Sequence, residues 1–213
     1  MSQPTAPRPS IVPSDIAFTP SVKAIQARKG SRTAYERMEN GDGWSTTVTA
    51  DLAEFIGAQT SFLFATANAD GQPYVQHRGG PPGFLRVLDD TTLGFVDFTG
   101  NKQFITLGNL AENDQAQLFL IDYARRRRIK IWGRAEVVEG DEKLTAALMP
   151  SGYRARPSQV ILFKVSAWDA NCPQHIPLKI DAADVNAALA ERDERIRALE
   201  AEVAALRAAA PTR

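Results

Sequence analysis

Over residues 60 to 98 the chain twice pairs short alternating apolar runs across turns too brief to hold a crossover. "TSFLFATANADGQPYVQHRG" is two β-rich runs around Asp70-Gly71, and "GFLRVLDDTTLGFVDF" repeats the theme with a turn near Asp89-Asp90. Runs joined by such turns are hairpins, whereas parallel neighbours need a connection of a dozen residues or more. "QAQLFLIDY", "RRIKIWGRAEVVEG" and "SQVILFKVSAWDA" add further strand-like runs, with "DEKLTAALM" a short helix between the last two. The expectation is a mainly β chain with peripheral helices: six or seven antiparallel strands forming a barrel rather than a doubly wound parallel sheet.

The flanks differ in texture. "TPSVKAIQARKGSRTAYERM" reads as helix, with Pro20 in the first turn and Gly30 as an interruption, and "TADLAEFIGA" as a second helix capped by Thr49. The Pro/Ser-rich start reads as an extended arm. From Asp181 onward Ala, Glu, Arg and Leu dominate, and Val185, Leu189, Ile196, Leu199, Val203 and Leu206 follow alternating four- and three-residue steps if Arg192 fills the missing place. That heptad seam predicts a C-terminal helix that either packs on its own barrel or pairs between two subunits. The segments expected are an arm over 1–19, helices packed on the barrel over 20–58, the barrel over 59–180, and the helix with its tail over 181–213.

Charge and composition narrow the function. Twenty-five basic residues balance 25 acidic ones, which argues against electrostatic nucleic-acid binding. One cysteine, Cys172, excludes an internal disulfide framework, no run is long enough for a membrane span, and no signal-peptide core opens the chain. The expected setting is the cytoplasm.

"FVDFTGNKQF" carries the chemistry. An alternating strand runs into Gly100, Asn101 and Lys102, and "QFITLGNLAEN" follows with helical character. A helix N-terminus offers unpaired N–H groups and partial positive charge, Gly100 allows close backbone approach, Asn101 is a candidate cap, and Lys102 adds a cation. Together they suit a phosphate. The same residues also fit a plain strand-to-helix turn with a surface lysine.

In context, the order of a "DGQPYV" hairpin, a Gly-rich strand end, "F-x-D-x-x-G-N-K", a helix, "LFLID" and "RRRIKIWGRAEVV" resembles the FMN-binding split-barrel family related to pyridoxamine 5′-phosphate oxidase. The resemblance covers residues 60–139 and extends more loosely through "WDANCPQHIP". It implies a split barrel, a homodimer, and noncovalent FMN at the subunit interface, two per dimer. Flavin contacts would come from Gln76, His77, Arg78 and Gly79. The ribityl chain and phosphate would be held by Val96, Asp97, Asn101, Lys102 and Gln103. Arg128 would reach the isoalloxazine, often from the partner subunit. The implied activity is oxidoreduction of a small molecule, with the flavin carrying the redox step. A non-catalytic flavin- or haem-binding module and a deazaflavin (F420) reductase are the other readings the fold allows.

Departures from the family pattern matter. The paired basic residues at the phosphate become Lys102 and Gln103, "GGPPG" replaces a lysine after the first flavin-contacting strand, and the chain ends in "HIPLKIDAADV" and the heptad helix instead of the family's C-terminal Trp motif. They point away from vitamin B6 oxidation and toward another small molecule. Residues 125–128, all arginine, should alternate along a strand, two facing the ligand or partner and two the solvent. Cys172 and His175 lack further ligands for a metal site. Trp168 with "NCPQHIP" reads either as a crossing that reaches the partner's flavin or as a loop closing the barrel. No catalytic residue is assigned.

Overall fold

The computed structural model describes residues 12–41, 43–171 and 173–209. They fall into two compact units, one running to Ile121 and resuming at Arg128, the other built from Asp122–Arg127 and the chain from Pro173 onward.

The first unit begins with a 3-10 turn at Pro13–Ile16, whose Ser14 is buried; the rest of the expected arm, residues 1–11, lies outside the described residues. Helix α1 (Pro20–Lys29) starts under Thr19, whose hydroxyl accepts the Val22 N–H, and stops at Gly30 with φ 82°. That left-handed stop suits glycine. Helix α2 (Arg32–Asn40) follows. Helix α3 (Ala50–Gly57) is capped by Thr49, which accepts the Leu52 N–H, and buries Leu52, Phe55 and Ile56.

Seven strands follow: β1 (Ser61–Ala67), β2 (Pro73–Gly79), β3 (Arg86–Asp89), β4 (Thr92–Phe98), β5 (Gln115–Asp122), β6 (Arg127–Val138) and β7 (Pro157–Asn171), with α4 (Ile105–Glu112) between β4 and β5 and α5 (Glu142–Leu148) between β6 and β7. Their order in the sheet is β2-β1-β5-β6-β7-β4-β3. β1 pairs antiparallel with β2 and β5, and β7 with β4 and β6. This is the split barrel that the hairpin spacing and the family resemblance lead one to expect, with the upper of the two strand numbers.

Alternation decides the core. Phe62 and Phe64 of β1, Leu118 and Leu120 of β5, Ile129 and Ile131 of β6, and Ile161 and Phe163 of β7 are buried in one cluster with Phe84, Leu93 and Phe95. Phe62 stacks on Phe84 with centroids 5.5 Å apart and meets Phe95 edge-on at 5.1 Å. Each such side chain contributes about 1.5–3 kcal/mol by leaving water. β4 is buried on both faces: Leu93 and Phe95 enter this core, while Val96 joins Leu148 and Val160 in a second, smaller cluster. Trp168 is bound within the same unit, its Nε1–H donating to the Thr47 carbonyl at 2.8 Å.

In the second unit, the β5–β6 connection carries Arg126 at φ 52°, and its Nε–H donates to the Ile176 carbonyl at 3.0 Å. The Lys179 ammonium lies 4.2 Å from the Tyr123 ring centroid. The arginine run therefore does not alternate along one strand: Arg125 and Arg126 occupy the turn, and only Arg127 and Arg128 belong to β6. Left-handed backbone at Arg126 ends the pleat there, which composition alone does not reveal. Helix α6 (Ala182–Ala209) completes the unit. No described helix is long and apolar enough to cross a membrane. Cys172 lies outside the described residues, and His175 stands in a turn at φ 64°.

Candidate functional site

Strand register makes one end of the core polar. Cross-strand partners share a face. In β1 and β2, Phe62 faces Arg78, Phe64 faces Gln76 and Thr66 faces Tyr74, so the inner face of β2 carries polar groups where β1 carries phenylalanines. Period-two alternation likewise puts Asp97 on the side of Leu93 and Phe95, and its register partner Gln159 on the side of Ile161 and Phe163. Asp97 is 5% exposed and Gln159 6%. Around them opens a cavity of about 320 Å³, lined by β2, the end of β4, the loop to α4, the first turn of α4, and residues 156–159 at the start of β7.

A buried network crosses the cavity floor. An Arg78 Nη donates to one carboxylate oxygen of Asp97, and Gln159 Nε2 donates to the other. Ser158 Oγ donates to Gln159 Oε1 at 2.6 Å, and Thr106 Oγ1 to Gln76 Oε1 at 2.9 Å. Burial pushes the Asp97 carboxyl above the usual carboxylate range, against the pull of the Arg78 charge and the Gln159 hydrogen bond. Burial also lowers Arg78 below the usual arginine value, only partly offset by Asp97. Desolvation thus outweighs attraction on both partners, so the pair adds little to stability by itself. Arg78 Nε is buried without a hydrogen-bond partner. Such a donor is normally satisfied by ordered water or by a ligand's acceptor.

Two more cations edge the cavity. Lys102 and Arg156 line it, and neither has an ion-pair partner among the described residues. Arg156 is fixed beside the loop because its carbonyl accepts the Thr99 N–H at 2.9 Å. A wider groove of about 760 Å³ lies along Leu110, Ala111, Val137 and Leu162, but its arginine, Arg134, is paired with Asp114 at 2.5 Å.

The loop between β4 and α4 departs from expectation. The helix begins at Ile105, not at Asn101. Lys102 has φ 58° and Phe104 φ 56°, left-handed values that non-glycine residues rarely adopt and that no helix continues through. Asn101 does not cap the helix; its Oδ1 accepts the Gln103 N–H at 3.3 Å, closing a local turn. Gly100 needs no special φ, and a Cβ there would meet nothing within 4 Å. Ile105, Thr106 and Leu107 still bring the first turn of α4 to the cavity wall, where unpaired N–H groups favour an anion.

Of the residues picked from sequence, Gln76, Arg78, Asp97, Asn101, Lys102 and Gln103 meet around this cavity. His77 is exposed on the opposite face of β2, and Gly79 does not line the cavity. The Val96 side chain is buried in the second cluster. Arg128, opposite Asn171 near the start of β6, also stands apart from the cavity, and its Nε is the other buried side-chain nitrogen without a partner among the described residues. Sequence reading missed Tyr74, Thr106, Arg156, Ser158 and Gln159. Alternation from Gln76 would have found Tyr74; the β7 residues become neighbours only through the β4–β7 register.

Residues 48–172 match the pyridoxamine 5′-phosphate oxidase family. This chain belongs to that family. The match spans the strands and α4, and so every residue of the cavity. No curated protein matches the chain. Among solved structures, this chain is similar to HupZ of Group A Streptococcus (22% identity, covering 62% of this chain and 99% of that one, TM-score 0.48). It is also similar to a putative pyridoxamine 5′-phosphate oxidase of Lactobacillus delbrueckii (19%, 59% and 95%, 0.47) and to an FMN-binding protein of Syntrophomonas wolfei (11%, 70% and 97%, 0.45).

Proposed function

We propose that the protein is an FMN-dependent oxidoreductase that holds its flavin noncovalently at a homodimer interface and acts on a small molecule other than a B6 vitamer. The observation that carries this reading is the buried, unpartnered Nε of Arg78, joined at one cavity by Lys102, Arg156 and the first turn of α4. FMN phosphate is close to dianionic at neutral pH, and such donors are the ones that bind it.

The residues divide the work. Lys102 and Arg156 neutralise the phosphate, and the N–H groups at the start of α4 donate hydrogen bonds to its remaining oxygens. Asp97 holds Arg78 in place and is suited to accept from ribityl hydroxyls, since a carboxylate only accepts. Gln76, oriented by Thr106, presents an amide toward the ring edge. A cavity of about 320 Å³ is at the small end for a whole cofactor site, for which roughly 300–1,000 Å³ is usual. Arg128 lies outside it with an orphaned donor, which supports a second subunit completing the flavin site. When bound, FMN supplies hydride or single-electron transfer, and the protein positions it and tunes its electronics.

The test is the visible spectrum of the protein as purified, mass identification of any released cofactor, and steady-state turnover with NADH or NADPH and oxygen. FMN with turnover supports the proposal. Bound flavin without turnover reassigns the protein to a carrier, and released F420 or haem removes FMN from the account.

A further inference from the structure

Helix α6 exposes an apolar stripe along its length: Val185 is 42% exposed, Leu189 50%, Ile196 51%, Leu199 42%, Val203 45% and Leu206 65%. A lone helix is marginal in water, and a stripe of this kind is stable when something covers it. The seam itself says what. Its four- and three-residue steps put Leu189, Ile196 and Val203 at a positions, and Val185, Arg192, Leu199 and Leu206 at d positions. The last two heptads therefore combine β-branched a residues with leucine at d, the combination that selects parallel two-stranded coiled coils.

The flanking charges select the same arrangement. In a parallel, in-register pair each g residue faces the e residue five positions on in the other copy. Arg195 then faces Glu200, and Glu202 faces Arg207, both with opposite sign. A slip of one heptad brings Arg195 against Arg207 in one direction and Glu202 against Glu200 in the other. Arg192 is the weak layer, since like charges meet there. Asp193, at the adjoining e position, is the carboxylate that offsets them.

We propose that α6 pairs with α6 of a second copy of this chain as a parallel, in-register coiled coil. The inference stands on the helix alone and does not depend on the cofactor.

Disulfide trapping in the full chain tests it. In a Cys172→Ser background, Leu199→Cys places thiols in one d layer, whereas Ala201→Cys places them at the outward f position. Mild oxidation should convert the Leu199→Cys chain to a reducible dimer at least roughly tenfold faster than the Ala201→Cys chain, because pairing raises the effective thiol concentration. Equal rates, or no dimer from either, overturn the proposal. Glu202→Arg in the Leu199→Cys chain should slow trapping, and adding Arg207→Glu should restore it. Trapping unmoved by both changes would overturn the assigned register.

Discussion

At the residue scale, the site is a contest between burial and charge. Asp97 is buried and Arg78 half-buried, and both are displaced by desolvation away from their charged forms, an arrangement that makes sense when a further charged group enters. Lys102 lacks any partner among the described residues, so its charge is available to an anion. Lys102→Ala should weaken FMN binding by about 1.5–3 kcal/mol, the range for a hydrogen bond to a charged group, as read by flavin fluorescence quenching. An unchanged dissociation constant would place the phosphate elsewhere. Asp97 makes a separate prediction. Its folded carboxyl titrates above the unfolded one. Between those two values the folded state holds more protons, so Asp97's contribution to stability falls as pH rises through that window. Asp97→Asn removes the titration. Urea unfolding at several pH values should show the variant gaining stability relative to wild type as pH rises from below the ordinary Asp range toward neutrality. A difference that does not change with pH would contradict the assigned shift. The absolute level of the variant is a separate matter, because it leaves Arg78 buried beside an amide.

At the element scale, one glycine fixes the geometry of the longest strand pair. The β6–β7 register shifts between Trp132 and Gly133, and a Cβ on Gly133 would lie 2.1 Å from the Lys164 carbonyl oxygen and 2.6 Å from Phe163 Cε1. Backbone cannot move aside as a side-chain tip can. Gly133→Ala should lower stability by at least about 1–3 kcal/mol, the cost of overpacking, measured by urea denaturation. A loss of only a few tenths would mean that the strands relax freely. Strands of this kind were legible from sequence, because alternation and turn pairs such as Asp70-Gly71 are local signals. The start of α4 was not. The backbone at Lys102 and Phe104 is left-handed, in a loop tied to the residue before β7 by the Thr99–Arg156 bond, and no local pattern records it. His77 and Gly79 were grouped with Gln76 and Arg78 as a contiguous stretch, although period two sends neighbours to opposite faces. Arg156, Ser158 and Gln159 enter through the pairing of strands some sixty residues apart, which only the fold supplies.

At the scale of the whole molecule, a barrel filled with phenylalanine and aliphatic side chains ends in a polar cavity with an uneven charge: Arg78, Lys102 and Arg156 against Asp97. That excess of cations stands in a chain balanced overall, and the ligand's phosphate is what it should read. The most direct test is to titrate cofactor-free protein with FMN and with riboflavin, which differs by lacking the phosphate. FMN should bind, and riboflavin should bind at least about tenfold more weakly, since even one lost charge-assisted hydrogen bond accounts for that factor. Equal affinity for the two, or no binding of FMN at all, would contradict it.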